Sequence, residues 1–408
     1  TYAGTGPAVI NVEVDQYRLQ GSRETAFIIK ATGEEDFTVS IHQDGPVVPE
    51  TPVAETAIIR SFAQNETKLH ILPGFESKVT FPAVDWATLV KADPDTIVVK
   101  FKENATAAKR TAVVTVKTET GATLQNLTLE QSWRNVEAGE LQIEEIFFGG
   151  TEVKNQFRAD TALFRNDAAD GDQYIKITNV SEEDLHIDGL LVAVSKGSSN
   201  KSLTGETELP VLDDAIGVRA VYAIPGTGNV LKAGESIIIA GSAANFTDTN
   251  FDSIVREGLN LFDTDFEFYN GGTDTDNQYV PNMVLWGDDA AGSFMLNEFG
   301  LESYAIAIAP KAVTAATFAT AQAWTAVPGC FTIPNEWVLD GVNAGVKDDD
   351  ETHEDPLAFN ATIDKGYAQI ADKWNNRFQI VGKSIARSGN DDSDDSAKDF
   401  AAGDPSLK

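Results

Sequence analysis

Three short segments of this chain follow one another in a strand–turn order: DQYIKITN at residues 172–179, LHIDGL at residues 185–190 and LKAGESIIIA at residues 231–240. The first is rich in β-formers and ends at an asparagine, which is typical of turns. The second contains the hairpin-type dipeptide Asp188-Gly189, and the third begins with a turn that leads into an aliphatic strand. This order is the strongest pattern in the sequence, and it predicts β-sheet structure.

The N-terminal third of the chain has the same character. Six segments show either a polar–apolar alternation with a period of two or a dense run of apolar and β-branched residues. They are residues 10–14, 26–29, 37–42, 97–101, 112–116 and 126–130. Many short strands separated by turn residues predict a β-sandwich, for which the immunoglobulin-like arrangement is the commonest form. We therefore expect an all-β protein.

Two segments carry helix signals. Residues 85–90 begin at Asp85, a favoured N-cap residue, and predict one short helix. Residues 312–326 are rich in Ala and Thr and allow a second helix, although Thr317 and Thr320 lower its propensity.

The length and composition predict two domains. A chain of 408 residues is long enough for two or three, and a polar stretch without periodicity at residues 133–139 places a boundary near residue 136. We predict an immunoglobulin-like β-sandwich at residues 1–136 and a larger β-sandwich with loop and short-helix insertions at residues 137–408. Insertions at residues 263–277 and 347–355 are expected to form loops over one end of the second sandwich.

The charge of the chain excludes several functions. There are 63 acidic and 31 basic residues, and the net charge is −32. Such a chain repels phosphate backbones and anionic membrane surfaces, so we predict no nucleic-acid partner. No apolar run reaches the roughly 18 residues of a membrane helix, which predicts no direct membrane insertion.

Common catalytic motifs do not occur in the sequence. A single cysteine, Cys330, excludes a disulfide within the chain and a cysteine-based zinc site. The four histidines lie far apart, and no Gly-x-Ser-x-Gly elbow occurs. Asp172 and Asp188 stand at strand edges, where we expect them to brace turns instead of forming a hydrolytic carboxylate pair. We predict a protein that is not an enzyme, with no catalytic residues.

Clustered carboxylates provide the candidate metal site. Asp391, Asp392, Asp394 and Asp395 flank a serine and offer the oxygen ligands that Ca²⁺ prefers. The alternative is that these side chains cap local backbone N–H groups, as Asp and Ser do in turns. Residues 347–355 form a second acidic loop, for which a solvated loop is the alternative. No cofactor other than calcium is predicted.

Four aromatic residues in polar surroundings are candidate ligand-binding residues: Tyr269, Tyr279, Trp286 and Trp374. Flat Tyr and Trp faces beside polar side chains suit the binding of sugars. The alternative for each is core packing or the anchoring of a loop.

Several blocks resemble known bacterial families. Asn104, an Arg-led strand at residues 109–116 and a strand ending in Gln131 are similar to small immunoglobulin-like modules of carbohydrate-active and surface proteins. The order of the segments in residues 172–240 resembles the lamin-tail domain, an immunoglobulin-like sandwich found in nuclear lamins and bacterial surface proteins.

Three closing blocks are similar to those of an uncharacterised family of bacterial secreted lipoproteins, the domain of unknown function 4876. They are residues 333–342, residues 382–387 and an Asp- and Ser-containing block at residues 391–400. The resemblance spans about residues 141–400 and implies a lamin-tail-like second domain. It carries no assigned activity or catalytic residues. Ala386 departs from the family pattern, in which a second basic residue precedes the arginine.

Together these observations predict a non-catalytic lipoprotein that binds a glycan, a surface protein or a nutrient complex. The expected location is the outer-membrane surface or periplasm of a Gram-negative bacterium, or secretion, with a lipid anchor on a removed N-terminal segment. Two alternatives stay open, a structural spacer or adhesin subunit and a calcium-dependent hydrolase. The hydrolase requires carboxylates that converge in a cleft.

Overall fold

The computed structural model is almost entirely β, which confirms the predicted fold class. The chain divides into two compact units, residues 1–104 with 108–133 and residues 105–107 with 134–408. The structure describes residues 9–59, 66–93, 95–104, 106, 108–148, 150, 153–154, 162–163, 172–198, 209–226, 228–247, 255–256, 258–268, 276–288, 296, 300–345, 357–370, 382–389 and 391–407.

The first unit contains a two-sheet sandwich and a separate hairpin. Strands β3-β9-β8-β5 form one sheet of the sandwich, β4-β7-β6 form the other, and β1 pairs with β2 alone. The strands are β1 (Ser22–Ile29), β2 (Phe37–Asp44), β3 (Val53–Ile59), β4 (Glu66–His70), β5 (Ser77–Thr80), β6 (Ala87–Ala92), β7 (Thr96–Phe101), β8 (Arg110–Thr118) and β9 (Thr123–Gln131).

Alternation along the strands builds the core of this sandwich. Val114 and Val116 of β8 and Leu127 and Leu129 of β9 point inward, and the residues between them are more exposed. They pack with Ile97 and other buried residues of the opposite sheet in one cluster. The period-two pattern at residues 126–130 therefore identified the buried face of β9 correctly, and the dense run at residues 112–116 is a strand as predicted.

Two local predictions in this unit were wrong. Residues 85–90 do not form a helix, because Ala87–Ala92 pairs antiparallel with Thr96–Phe101 along its length. Thr88 and Val90 are β-branched and suit a strand, and this tertiary pairing overrides the N-cap signal of Asp85. Residues 10–14 alternate in sequence but form no strand, and their apolar side chains are exposed.

The first twelve strands of the second unit include those formed by the three strand–turn segments of the sequence, which are β13, β14, β17 and β18. The bounds are β10 (Leu141–Phe147), β11 (Val153–Lys154), β12 (Ala162–Leu163), β13 (Tyr174–Asn179), β14 (Leu185–His186), β15 (Leu191–Ser198), β16 (Ala215–Ala223), β17 (Val230–Leu231), β18 (Ser236–Ala240), β19 (Val255–Arg256), β20 (Phe266–Glu267) and β21 (Val284–Asp288).

Short helices and further strands complete the unit. They are β22 (Glu302–Ala307), α1 (Ala315–Ala321), β23 (Phe331–Pro334), a 3₁₀ turn (Asn335–Trp337), β24 (Val338–Val342), β25 (Ala344–Gly345), β26 (Ala368–Gln369), β27 (Ser384–Arg387), α2 (Ser396–Asp399) and β28 (Phe400–Gly403). Within the described ranges, neither helix has the length and apolar character needed to cross a bilayer.

Two six-stranded sheets organise this unit. One has the order β20-β18-β13-β10-β27-β28, and the other has the order β21-β16-β15-β22-β24, with β23 also paired to β16. All neighbours are antiparallel except β18 and β20. Between β10 and β24, the Ile143 N–H donates to Asp340 Oδ2 over 2.6 Å, so the two sheets are joined by a buried hydrogen bond.

Helix α1 lies within the Ala- and Thr-rich segment that allowed a helix. Thr317 Oγ1 accepts a hydrogen bond from the Thr314 N–H at the start of the helix. Phe318 is fully buried, with its ring 5.6 Å from that of Trp286 and 5.5 Å from that of Phe331. This aromatic contact fixes the helix against the strand that carries Trp286.

Candidate functional site

The Asp-rich block near the C-terminus surrounds a buried arginine. Arg387 Nη2 donates to Asp340 Oδ2 and Arg387 Nη1 donates to Asp392 Oδ1, each over 3.0 Å. Asp399 Oδ2 lies 3.5 Å from Arg387 Nη1, and the guanidinium stacks over the Phe400 ring. The three closing blocks of the sequence analysis thus meet in one ion cluster, which we call the Arg387 cluster: Asp340, Arg387, Asp392 and Asp399.

Acidic side chains of this block also make contacts within the block itself. Asp399 accepts hydrogen bonds from the Ser393 N–H at 3.0 Å and from Ser393 Oγ at 2.8 Å. Asp395 pairs with Lys398, and Asp394 adopts the left-handed conformation with φ at 49°. Asp391 is exposed. These contacts agree with the alternative in which Asp and Ser side chains brace a turn.

No metal-binding group of three or more His, Cys, Asp or Glu side chains occurs among the described residues. The guanidinium of Arg387 contacts Asp392, one of the four carboxylates for which the sequence suggested Ca²⁺. Calcium binding by Asp391, Asp392, Asp394 and Asp395 therefore stays a prediction.

A second buried carboxylate holds the start of α2. Asp364 accepts hydrogen bonds from the Asn343 N–H at 2.6 Å, the Ser396 N–H at 2.7 Å and Ser396 Oγ at 2.5 Å. Burial raises the pKa of Asp364 to about 6, against the opposing effect of these donors. Burial likewise raises the pKa of Asp340 to about 7, against the opposing charge of Arg387. Both carboxyls are parts of internal networks.

Asp188 has the turn-bracing role that was expected of it. Its carboxylate accepts hydrogen bonds from the N–H groups of Gly228 at 2.6 Å and Asn229 at 2.9 Å. Asp172 is buried and accepts one from the Leu259 N–H at 2.9 Å. The two carboxylates serve different loops.

The four predicted aromatic residues differ in their placement. Tyr269, Trp374 and the acidic loop at 347–355 lie outside the described residues. Trp286 is half-buried and packs against Phe318, which agrees with the alternative of anchoring. Tyr279 is the described candidate whose side chain extends into solvent, with 86% of its surface exposed.

Tyr279 forms a pair with a residue that the sequence reasoning missed. The ring of Phe262 lies 6.3 Å from the ring of Tyr279, at an interplanar angle of 50°, and Phe262 is 42% exposed. We call Phe262 and Tyr279 the aromatic pair. Two apolar rings side by side in water form a platform onto which an apolar ligand face can pack.

Hydrogen bonds beneath the aromatic pair hold its two loops together. Asn277 Nδ2 donates to the carbonyl of Phe262 over 2.9 Å and to that of Ala243 over 2.8 Å, and Asn277 Oδ1 accepts from the Tyr279 N–H over 3.1 Å. The buried Glu267 accepts from the N–H groups of Asn277 at 2.9 Å and Ala243 at 2.8 Å. Asn277 therefore fixes the backbone of both members of the pair.

Comparison with known families gives two matches. Residues 232–406 match the family "Protein of unknown function (DUF4876)". Residues 76–132 match BACON, whose description is "Putative binding domain, N-terminal". A comparison with curated proteins finds no match. The family that the closing blocks resembled is thus the family whose model matches this part of the chain.

Solved structures are similar at low identity. A DUF4876 family protein from Bacteroides thetaiotaomicron is 18% identical, with a TM-score of 0.49, and the match covers 86% of this chain and 96% of that chain. The endo-fucoidan hydrolase MfFcnA4 from glycoside hydrolase family 107 is 7% identical, with a TM-score of 0.20 and coverages of 39% and 32%. PcdhgB3 EC1-4 is 9% identical, with a TM-score of 0.22 and coverages of 54% and 57%. None of these likenesses informs about activity.

The two matched segments differ in where they place aromatic side chains. In the BACON segment Trp86 and Phe101 are buried and stacked with ring centroids 6.2 Å apart, and Arg110 lies over the Trp86 ring. The DUF4876 segment contains both the Arg387 cluster and the exposed aromatic pair. The solvent-facing aromatic platform therefore belongs to the DUF4876 segment.

Proposed function

We propose that this protein is a non-catalytic glycan-binding protein and that the aromatic pair is its binding platform. The observation that carries the proposal is the exposure of Tyr279 and Phe262 side by side on loops of the second unit. Leaving two large rings in water is unfavourable, whereas the C–H face of a sugar ring packs well against them. The match to a family described as a binding domain supports a binding role.

Hydrogen bonds fix the two loops of the aromatic pair, so a ligand can bind without a large loss of loop conformational entropy. Asn277 is buried and ties both loops to Ala243, and Glu267 is buried among backbone donors. A site whose loops are already fixed loses less conformational entropy when a ligand binds. Gln278 is exposed next to Tyr279 and supplies an amide group that suits sugar hydroxyls.

The contacts of the two carboxyls with strongly raised pKa values support a role without catalysis. Asp340 and Asp364, whose pKa values burial raises to about 7 and about 6, are occupied by Arg387 and by backbone and serine donors. A general acid of a glycosidase has to reach the leaving oxygen of a substrate in a cleft. Both carboxyls instead serve internal contacts of the fold.

The proposal is tested by a glycan array followed by affinity electrophoresis in soluble polysaccharides. The Tyr279→Ala variant is expected to lose at least about tenfold in affinity, equivalent to about 1.4 kcal/mol, because the ligand loses its stacking face. Its melting temperature should stay that of the wild type, since the ring is exposed. Phe37→Ala is the matched control, because Phe37 is an aromatic residue that is 65% exposed on the hairpin of the first unit. A wild-type protein that retains no glycan, or a Tyr279→Ala variant that binds as well as the wild type, would contradict the proposal.

We also propose that the protein works outside the cytoplasm as a lipid-anchored or secreted protein. The support is the resemblance of the closing blocks to those of secreted bacterial lipoproteins. Protease treatment of intact cells and labelling with a palmitate analogue test this location. Full protection from the protease after the outer membrane is permeabilised, together with no label, would contradict it.

A further inference from the structure

We infer that the ligand of the aromatic pair is an uncharged glycan and that the site rejects sulfated and carboxylated glycans. This inference rests on the proposed function and adds the class of ligand to it. Its basis is the distribution of charge around the two rings.

The segment that carries the platform has charge of one sign only. Between Arg256 and Lys311 the sequence contains ten Asp and Glu residues and no Lys or Arg. Both loops of the aromatic pair lie within this interval. Proteins that bind sulfate or carboxylate groups place Arg or Lys at the anion, because a planar guanidinium or an ammonium supplies charge-assisted hydrogen bonds. Neither described loop of the aromatic pair offers such a group.

Each ring also has an acidic neighbour on the surface. Asp263 directly follows Phe262 and is exposed, and Asp276 is exposed next to Asn277, which holds Tyr279. Asp276 Oδ1 accepts a hydrogen bond from Asn282 Nδ2 over 3.0 Å. This bond fixes one carboxylate oxygen of Asp276 within the loop that carries Tyr279. An anionic group on a bound sugar would approach these carboxylates without a compensating cation, so repulsion opposes its binding.

An uncharged sugar avoids this repulsion and uses the same groups favourably. Its C–H face packs on the rings, and its hydroxyl groups donate to carboxylate and amide oxygens at the margin. The carboxylates then act both as acceptors for hydroxyls and as a barrier to anions. This combination selects against one class of ligand by repulsion, which is a common route to specificity.

The test compares polysaccharides that share a backbone and differ in charge: hydroxyethylcellulose with carboxymethylcellulose, and dextran with dextran sulfate. Affinity electrophoresis at 20 mM salt is expected to show binding to the neutral member of at least one pair and at least tenfold weaker binding to its anionic partner. The difference should shrink at 0.5 M salt, because added ions screen exposed charges.

Charge variants connect the selectivity to the platform. Asp263→Asn combined with Asp276→Asn is expected to raise the affinity for the anionic polymer at least threefold relative to the affinity for the neutral polymer. Asp391→Asn is the control, because Asp391 is an exposed carboxylate in the C-terminal block. Equal or tighter binding of the anionic member overturns the inference and leaves the proposed function standing. If no polymer of either class binds, the proposed function itself fails.

Discussion

Arg387 Nη2 and Asp340 Oδ2 lie 3.0 Å apart, and the side chains of both residues are almost fully buried, at 3% and 4% exposure. Arg387 ends β27 of one sheet, and Asp340 lies in β24 of the other. The pair therefore joins the two sheets of the second unit. Asp392 and Asp399 add two more carboxylates around the same guanidinium. One guanidinium therefore contacts three carboxyl groups.

Replacing this arginine should destabilise the second unit strongly. Arg387→Ala leaves Asp340, Asp392 and Asp399 near one another without their cation, and breaking a buried ion pair on one side typically costs about 3–5 kcal/mol. We expect a fall of that size in the free energy of unfolding, measured by urea denaturation. Arg23→Ala is the control, because Arg23 is exposed on the hairpin and its loss should cost less than about 1 kcal/mol. A change below about 1 kcal/mol for Arg387→Ala would show that the cluster does not hold the sheets together.

Stability should fall as the pH rises from about 4 to about 7. The carboxyl of Asp364 has a pKa of about 6 in the folded protein and near 3.9 when unfolded. The folded state therefore binds more protons in this window, and the free energy of unfolding decreases as these protons leave. For Asp364 the decrease is on the order of 3 kcal/mol, and Asp340, with a pKa of about 7, acts in the same direction.

The measurement is a series of urea denaturation curves between pH 4.5 and pH 8. Asp364→Asn cannot titrate, so this variant should be less stable at low pH and show a shallower dependence on pH than the wild type. The shallower slope separates the titration of Asp364 from a general loss of stability. A variant curve parallel to that of the wild type over the whole window would mean that Asp364 does not titrate there.

Local patterns predicted the strands, whereas the sites depend on contacts between distant segments. Alternation along residues 126–130 identified a real strand because one face of β9 is buried. The same alternation at residues 10–14 gave no strand, since none of the described strands pairs with it. The Asp-rich block suggested a bound metal cation, but the cation that contacts it is the side chain of Arg387. Asp340 lies 47 residues before Arg387 in the chain, so the sequence could not show that the two side chains are in contact.

The aromatic pair shows the same limit. Tyr279 was predicted because it is an aromatic residue in polar surroundings, but its neighbour Phe262 comes from a different loop. What joins the two loops is Asn277, whose amide donates to the Phe262 carbonyl and whose oxygen accepts from the Tyr279 N–H. A sequence of the form Asp-Asn-Gln-Tyr predicts a local Asn turn, but not the second loop to which the amide nitrogen binds.

Calcium should have little effect on the C-terminal block. Asp392 and Asp399 contact Arg387, and Asp395 pairs with Lys398, so a Ca²⁺ ion would have to displace these cations. We expect the melting temperature in 5 mM CaCl₂ to stay within about 1 °C of that in EDTA, because a ligand stabilises the fold only if it binds the folded state. A saturable rise in the melting temperature that is lost in Asp391→Ala would establish the calcium site instead.

Trp286 should contribute to stability and not to ligand binding. Its ring packs 5.6 Å from the buried ring of Phe318, which itself holds α1 against β21. Trp286→Ala removes this contact and should lower the free energy of unfolding by about 2–4 kcal/mol, somewhat below the cost of deleting a fully buried aromatic ring. Affinity for a glycan, measured per mole of folded protein at low temperature, should stay within a factor of two of that of the wild type. Tyr279→Ala is expected to show the reverse pattern, with unchanged stability and reduced affinity. If Trp286→Ala lost affinity as strongly as Tyr279→Ala while remaining folded, the platform would have to extend to Trp286, as the composition of the sequence alone suggested.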